Sequence, residues 1–302
     1  MTNTTDFDVI IIGGSYSGLS AALSLARALR NVLIIDSGQP CNRQTPHAHN
    51  FLTQDGKTPA EVSALAREQV LQYPTVQFYQ GLAVKGSKRD NGFEITTRAG
   101  DTFTSRKLLF ATGVKDVMPD IKGFAECWGI SALHCPYCHG YEVRGEKTAV
   151  IANGEMGYEF TRMISQWTKD LTLLTNGPSA LEREQAAKLE KNGIRVIETE
   201  IISFEHDNGY VKRVALKDGT QLPVRAVYAK PKHEQNSDIP ITLGCELTEH
   251  GYIKADMSQK TSVHGVYACG DNSQFIRSLS IAISAGTLAG TAINRELIEE
   301  DF

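Results

Sequence analysis

Residues 8–18 read DVIIIGGSYSG. An apolar, β-branched run that stops at glycine predicts a strand buried on both faces, as in a parallel sheet. The next stretch, SYSGLSAALSLARALR (15–30), is rich in Ala and Leu at helical spacing. NVLIID (31–36) then reads as a second buried strand, and it closes on an acid. Strand, glycine turn, helix and strand in this order predict a βαβ unit, and with it an α/β fold.

The turn itself is specific. Gly13-Gly14-Ser15-Tyr16-Ser17-Gly18 fits Gly-x-Gly-x-x-Gly, with Ser15 in the second glycine place. In that pattern the first glycine makes a tight turn, the second faces a pyrophosphate, and the third lets helix pack on strand. A helix N-terminus behind the turn supplies free N–H groups and partial positive charge for the diphosphate. Asp36 stands 18 residues after Gly18, placed to accept hydrogen bonds from a ribose diol and to repel a 2′-phosphate.

The first half continues with strand-like residues 76–89, a hairpin signal at Asp90-Asn91-Gly92, the alternating FEITTR, and KLLFATG ending at Gly113. The pattern then recurs. KTAVIANGEMG is a strand and a glycine turn, YEFTRMISQW is helical, and LTLLT is a strand. SALEREQAAKLEKNG is an amphipathic helix and IRVIETE a strand. His206-Asp207-Asn208-Gly209-Tyr210 repeats the earlier hairpin signal, and VRAVYAK parallels RKLLFAT. Two copies of one nucleotide-binding architecture are expected. The tail carries GVYACGD and a long Ala/Ser/Gly-rich helix, and it returns to the first copy. The expected domains are 1–114 and 241–302 for the first, discontinuous one, and 115–240 for the second, inserted one.

Composition narrows the classes. The 302 residues suffice for two domains, and a net charge of −4 gives no reason to expect nucleic acid or an anionic membrane as partner. No apolar run approaches the roughly 18 residues of a spanning helix. MTNTTDFDVIIIGG has neither a basic region nor a small-residue cleavage site of the signal-peptide kind, so a cytoplasmic protein is expected.

Six cysteines are present. Cys41, Cys127, Cys245 and Cys269 are scattered and read as packed or inert. Cys135 and Cys138 form a motif, HCPYCH (134–139). Cys-x-x-Cys-His is the attachment signature of c-type haem, but that requires export. Zinc needs a second ligand pair, and none follows at suitable spacing. A redox-active disulfide is the reading that survives, with Pro136 suited to a first helical position and a helix N-terminus favouring the thiolate. His139 titrates near neutrality and can both take and give a proton.

Val266-Tyr267-Ala268-Cys269-Gly270-Asp271 resembles the second FAD fingerprint of two-dinucleotide-binding flavoproteins, and Ala111-Thr112-Gly113 is similar to their Ala-Thr-Gly turn. The position of CPYC before the second βαβ unit resembles low-molecular-weight thioredoxin reductases over nearly the whole chain. The resemblance implies two Rossmann-like domains, FAD as cofactor, a homodimer, and a thioredoxin-like protein or a small dithiol or disulfide as partner. It places FAD against Gly13, Gly14, Ser15, Gly18, Asp36, Arg43, Asn50, Thr112, Gly113, Gly270, Asp271, Ile281 and Ala282. It makes Cys138 the flavin-side sulfur and Cys135 the interchange thiol.

Two departures matter. His139 stands where thioredoxin reductases keep an acid. Together with HAHNFLTQDG (47–56) it looks more like the branch with gliotoxin- and holomycin-type dithiol oxidases. His47 or His49 either faces the flavin or is an ordinary loop histidine. The second turn, Ala152-Asn153-Gly154-Glu155-Met156-Gly157, has alanine for its first glycine. Asn153, Gly154 and Gly157 are candidates for NADPH or NADH, but Thr175-Asn176-Gly177-Pro178 lacks both the basic cluster and the acid that would select either. The directions left open are a disulfide reductase fed by a nicotinamide or by ferredoxin, an oxygen-dependent dithiol oxidase, and a redox-sensing flavoprotein.

Overall fold

Val9, Ile10 and Ile11 have no exposed surface, and neither do Val32 and Ile34 on the next strand. Burial on both faces is what the unbroken apolar runs require, at about 1.5–3 kcal/mol for each such side chain. The computed structural model describes residues 6–302 and divides into two units. Unit one comprises the chain up to Arg43, Pro59–Lys115 and His233–Phe302. Unit two comprises Gln44–Thr58 and Asp116–Lys232.

Unit one opens with β1 (Asp6–Ile12), α1 (Tyr16–Arg27), β2 (Val32–Asp36), α2 (Pro59–Leu71) and β3 (Val76–Gln80). It continues with β4 (Ala83–Arg89), β5 (Gly92–Thr97), β6 (Thr102–Phe110) and β7 (Val114–Asp116). The sheet order is β3-β2-β1-β6-β5-β4, parallel from β3 to β6 and antiparallel beyond.

Unit two carries α3 (Phe124–Cys127), β8 (Ala132–Leu133), α4 (Pro136–His139), β9 (Thr148–Ile151), α5 (Gly154–Ile164) and β10 (Leu171–Leu174). Then come α6 (Arg183–Lys191), β11 (Arg195–Ile197), β12 (Ile201–Asp207), β13 (Tyr210–Leu216), β14 (Gln221–Pro223) and β15 (Ala226–Ala229). Its parallel sheet has the order β11-β10-β9-β15-β8, beside a three-stranded sheet β12-β13-β14. β9 lies between β10 and β15 as β1 lies between β2 and β6, so the repeated architecture read from the sequence is present. The two hairpins differ by one residue. Arg89 pairs with Gly92, so Asp90-Asn91 make the first turn. Asp207 pairs with Tyr210, so Asn208-Gly209 make the second, both at positive φ.

The chain returns to unit one with β16 (His233–Gln235), α7 (Ile239–Thr242), β17 (Val266–Ala268) and α8 (Leu279–Asp301). β17 pairs with the end of β6, Val266 to Leu108 and Ala268 to Phe110. The small residues of α8 let it lie on α1. A Cβ on Gly286 would stand 2.1 Å from the Ser17 carbonyl oxygen, and one on Gly290 2.7 Å from that of Ala21. The far end of α8 is pinned by charge: Lys107 Nζ lies 2.6 Å from Glu296 Oε1, with both side chains buried.

Candidate active site

Cys135 and Cys138 are joined in a disulfide, with Cα atoms 5.3 Å apart. Cys135 is the N-cap of α4 and Pro136 its first residue; the Cys138 amide donates to Cys135 Sγ at 3.1 Å. Proline fits there because its fixed φ suits the first helical turn and its missing N–H would have no partner anyway. The expected N-terminal field does not follow, because α4 has only four residues and too few aligned peptides to sum to one. The other four cysteines divide. Burial pushes the Cys127 thiol up to about 11 and the Cys269 thiol up to about 12, and Cys245 is buried too. Cys41 departs from the expectation of packing, since it is exposed.

His139 ends α4 and is largely buried, and burial lowers its proton affinity. Glu142 acts the other way and His49 adds to the lowering. His49 belongs to Gln44–Thr58 of unit two, the same unit as the disulfide. Its ring stands between two carboxylates: Nδ1 is 3.5 Å from Asp55 Oδ2, and Nε2 is 3.5 Å from Glu142 Oε1. His47 Nδ1 is 3.0 Å from the Gly56 carbonyl oxygen. Asn50, at positive φ, donates its amide to Asp55 Oδ1 at 2.7 Å. Asp55 was read only as part of HAHNFLTQDG and Glu142 gave no signal in the sequence; both meet His49 through the fold.

The first glycine turn gathers as a cradle. A Cβ on Gly13 would stand 2.2 Å from the Ala111 carbonyl oxygen, and one on Gly18 1.9 Å from that of Gly13. Gly14 donates its amide to Asp36 Oδ1 at 2.9 Å, and Gly38 to Oδ2 at 3.0 Å. Ser15 is the N-cap of α1, yet no side chain caps the helix and its first turn holds no acid. The first-turn amides are therefore left for an anion.

The end of β6 and the end of β17 bring Thr112, Gly113, Gly270 and Asp271 to the same edge. Asn272, fully buried, donates to the Phe110 carbonyl oxygen at 2.8 Å and to Thr112 Oγ1 at 3.2 Å, while its Oδ1 has no partner among the described residues. That orphaned acceptor fits a site completed by a bound donor. Asp271 faces Arg277 Nε at 3.3 Å. Ile281 and Ala282 form the first turn of α8, where Ser278 Oγ accepts from the Ile281 amide at 3.3 Å. Arg43 is exposed and reaches the Pro40 carbonyl oxygen at 3.2 Å; Asn50 groups with unit two.

The second glycine turn is built differently. Asn153 Oδ1 accepts from the Gly154 amide and from the Ala180 amide, each at 2.8 Å, and Asn153 Nδ2 donates to the Pro178 carbonyl oxygen at 2.9 Å. One carboxamide thus ties the turn to the loop after β10. Glu155 places an acid in the first turn of α5, hydrogen-bonded to Gln185. Gly157 stays close-packed, a Cβ there standing 3.1 Å from the Ala152 carbonyl carbon. Thr175, where a ribose-binding acid belongs, spends its hydroxyl on the Gly177 carbonyl oxygen at 2.7 Å. The depression beside Gly177 and Pro178 is lined by Glu198, Glu200 and Asp218, and its one cation, Lys217, is paired to Glu200 at 2.6 Å. Among the described residues lining this depression no unpaired cation is left for a 2′-phosphate.

A family model described as pyridine nucleotide-disulphide oxidoreductase matches residues 7–286. The chain belongs to the pyridine nucleotide-disulphide oxidoreductase family. It is 32% identical to thioredoxin reductase tcpT of Claviceps purpurea, over 99% of this chain and 97% of that one. An oxidoreductase from Agrobacterium tumefaciens superposes with a TM-score of 0.92 at 38% identity, covering 98% of this chain and 99% of that one. A putative thioredoxin reductase TrxB from Bacillus anthracis gives 0.94 at 30% identity, covering 98% and 100%. Membership makes this protein a flavin-dependent disulfide oxidoreductase of the thioredoxin reductase type, with FAD as its cofactor. The family name carries a pyridine nucleotide, and the second glycine turn of this member is where it departs. Among the described residues no helix is long and apolar enough to cross a membrane.

Proposed function

We propose that this oxidoreductase works as a dithiol oxidase. An external dithiol is oxidised to its disulfide through Cys135–Cys138, and two electrons leave by way of the flavin to oxygen, giving hydrogen peroxide. The observation that carries the direction is the tie of Asn153 to Ala180 and Pro178, which leaves the redox disulfide as the built entry for electrons. The Gly13–Gly18 turn, Asp36 and the Thr112/Asp271 edge would hold FAD, which would supply a two-electron acceptor.

The chain's own residues do the rest. Cys135 exchanges with the substrate thiols, and Cys138 is the sulfur on the flavin side. His139 takes a proton from the attacking thiol, and its burial keeps the imidazole neutral and ready at physiological pH. The protein acts as a homodimer in the cytoplasm, which mass measurement in solution tests. Oxygen uptake with a small dithiol, matched one to one by peroxide, is the assay for the function. Steady turnover of thioredoxin disulfide with NADPH would replace it by the reductase reading that the relatives' names favour.

A further inference from the structure

We propose that unit two holds a second binding site, for inorganic hydrogen phosphate, away from the redox chemistry. A cavity of about 50 Å³ lies where β9, β10 and β11 begin. The redox disulfide follows the carboxyl end of β8, and all these strands run parallel, so the cavity is at the opposite edge of the sheet. Its volume is room for a few waters or one small tetrahedral anion.

Register builds the lining. Thr148 opens β9 and pairs with Leu171, and Thr172 pairs with Arg195 at the start of β11. Lys147 and Asp170 stand just before β9 and β10. The Thr148 amide donates to the Asp170 carbonyl oxygen at 2.9 Å, and the Arg225 amide to that of Lys147 at 2.7 Å, so both backbones are fixed. Leu222 and Val224, both buried, supply an apolar wall.

Four side chains at this cavity lack the partners their chemistry calls for. Neither Lys147 nor Arg195 makes an ion pair or a side-chain hydrogen bond with a described residue. Asp170 lines the same cavity, yet no ion pair within 4.0 Å joins it to either cation. Thr172 is 3% exposed, and its hydroxyl makes no hydrogen bond among the described residues. The neighbouring hydroxyl of Thr148 is spent on the Glu146 carbonyl oxygen at 2.9 Å. A buried hydroxyl without a partner is costly in a purely structural setting. Beside two unpaired cations it is a donor for an anion.

Hydrogen phosphate satisfies all four. Its two negative charges meet Lys147 and the planar fork of Arg195, which suits oxyanion oxygens. Another oxygen accepts from Thr172, and the one remaining proton is donated to Asp170, which when ionised only accepts. That last contact sets the specificity. Sulfate carries no proton at pH 8, and neither does a phosphate monoester, whose second pKa is about 6. Either would set an oxygen lone pair against the Asp170 carboxylate.

The test is titration calorimetry of the FAD-loaded protein at pH 8, in phosphate-free buffer of fixed ionic strength because salt screens such contacts. FAD fills the diphosphate cradle of unit one, so that cradle does not compete. The titrants are sodium phosphate, sodium sulfate and glycerol 3-phosphate. Wild type is expected to bind phosphate at one site, about tenfold or more tighter than the other two, the worth of one charge-assisted hydrogen bond. Asp170→Asn, whose carboxamide can donate, is expected to weaken phosphate and to narrow that preference to about threefold or less. Arg195→Gln, at an exposed position, is expected to weaken phosphate about tenfold or more with the melting temperature of the ligand-free protein unchanged. No phosphate binding by the wild type would overturn the proposal. So would phosphate and sulfate bound equally by the wild type, or phosphate binding left unchanged in both variants, which would place the anion elsewhere.

Discussion

Asn153 Oδ1 accepts from the Ala180 amide at 2.8 Å, and this contact ties the glycine turn of unit two to the loop that follows its second strand. In unit one Asp36 ties the matching turn from the strand end, accepting from the Gly14 and Gly38 amides, while the first turn of α1 carries no side-chain cap. The two turns therefore differ in their capping: the Asn153 side chain caps α5, and the Ser15 side chain does not cap α1. Titrating the FAD-loaded protein with NADPH or NADH is expected to leave its fluorescence unchanged. Asn153→Ala removes three hydrogen bonds and is expected to cost about 1–2 kcal/mol, as loss of an N-cap asparagine does, read from urea midpoints.

Cys135→Ser and Cys138→Ser each remove one half of the disulfide while serine keeps the size and a hydrogen-bonding atom. Each is expected to lower dithiol-dependent oxygen uptake by about a thousandfold or more, as loss of a covalent nucleophile does. The two differ in what they leave behind. The Cys138→Ser protein retains Cys135, whose thiolate attacks the disulfide form of the substrate, one S–S bond breaking as another forms, and is expected to hold it as a mixed disulfide visible by intact mass; the Cys135→Ser protein is not.

His139 gives the fold a pH dependence with a definite sign. Burial, the larger influence, lowers its proton affinity below the ordinary value of 6.5. The unfolded chain then binds the proton first as pH falls. The stability this group lends is full above about 6.5 and is lost as pH drops toward the folded value. His139→Asn is expected to flatten that slope in urea midpoints measured on either side of pH 6.5.

Glu296 has the opposite proton balance. Burial works to raise its pKa, but hydrogen bonds from Lys107, Lys260 and Tyr267 outweigh it and hold the carboxyl at about 2, below the ordinary 4.5. Its contribution is present above 4.5 and is lost as pH falls from there toward about 2. Glu296→Gln leaves Lys107, whose side chain is 3% exposed, with Glu300 as its remaining acid partner, and is expected to destabilise by about 1.5–3 kcal/mol, as loss of a hydrogen bond to a charged group does. The double variant Lys107→Met/Glu296→Leu is expected to recover much of that loss in thermal unfolding, since no buried charge is left unpaired.

The βαβ opening, the repeated architecture and the redox pair were legible in the sequence because each is written in short range. An apolar run, a glycine turn and a Cys-x-x-Cys spacing need no distant partner to be recognised. The setting of His139 was not legible. His49 and Asp55 lie nearly ninety residues before Glu142, and the grouping of Gln44–Thr58 with unit two brings them together. Asn153 was read as a candidate nucleotide contact because it stands inside a degenerate glycine pattern. That its carboxamide is consumed by Ala180 and Pro178 is a long-range fact no local pattern carries.

The most direct measurement is anaerobic stopped-flow of the FAD-loaded protein against dithiothreitol, NADPH and NADH in parallel. The expected result is rapid bleaching of the flavin by dithiothreitol, dependent on Cys135 and Cys138, and none by either nucleotide. Rapid bleaching by NADPH or NADH, with none by the dithiol, would contradict the account.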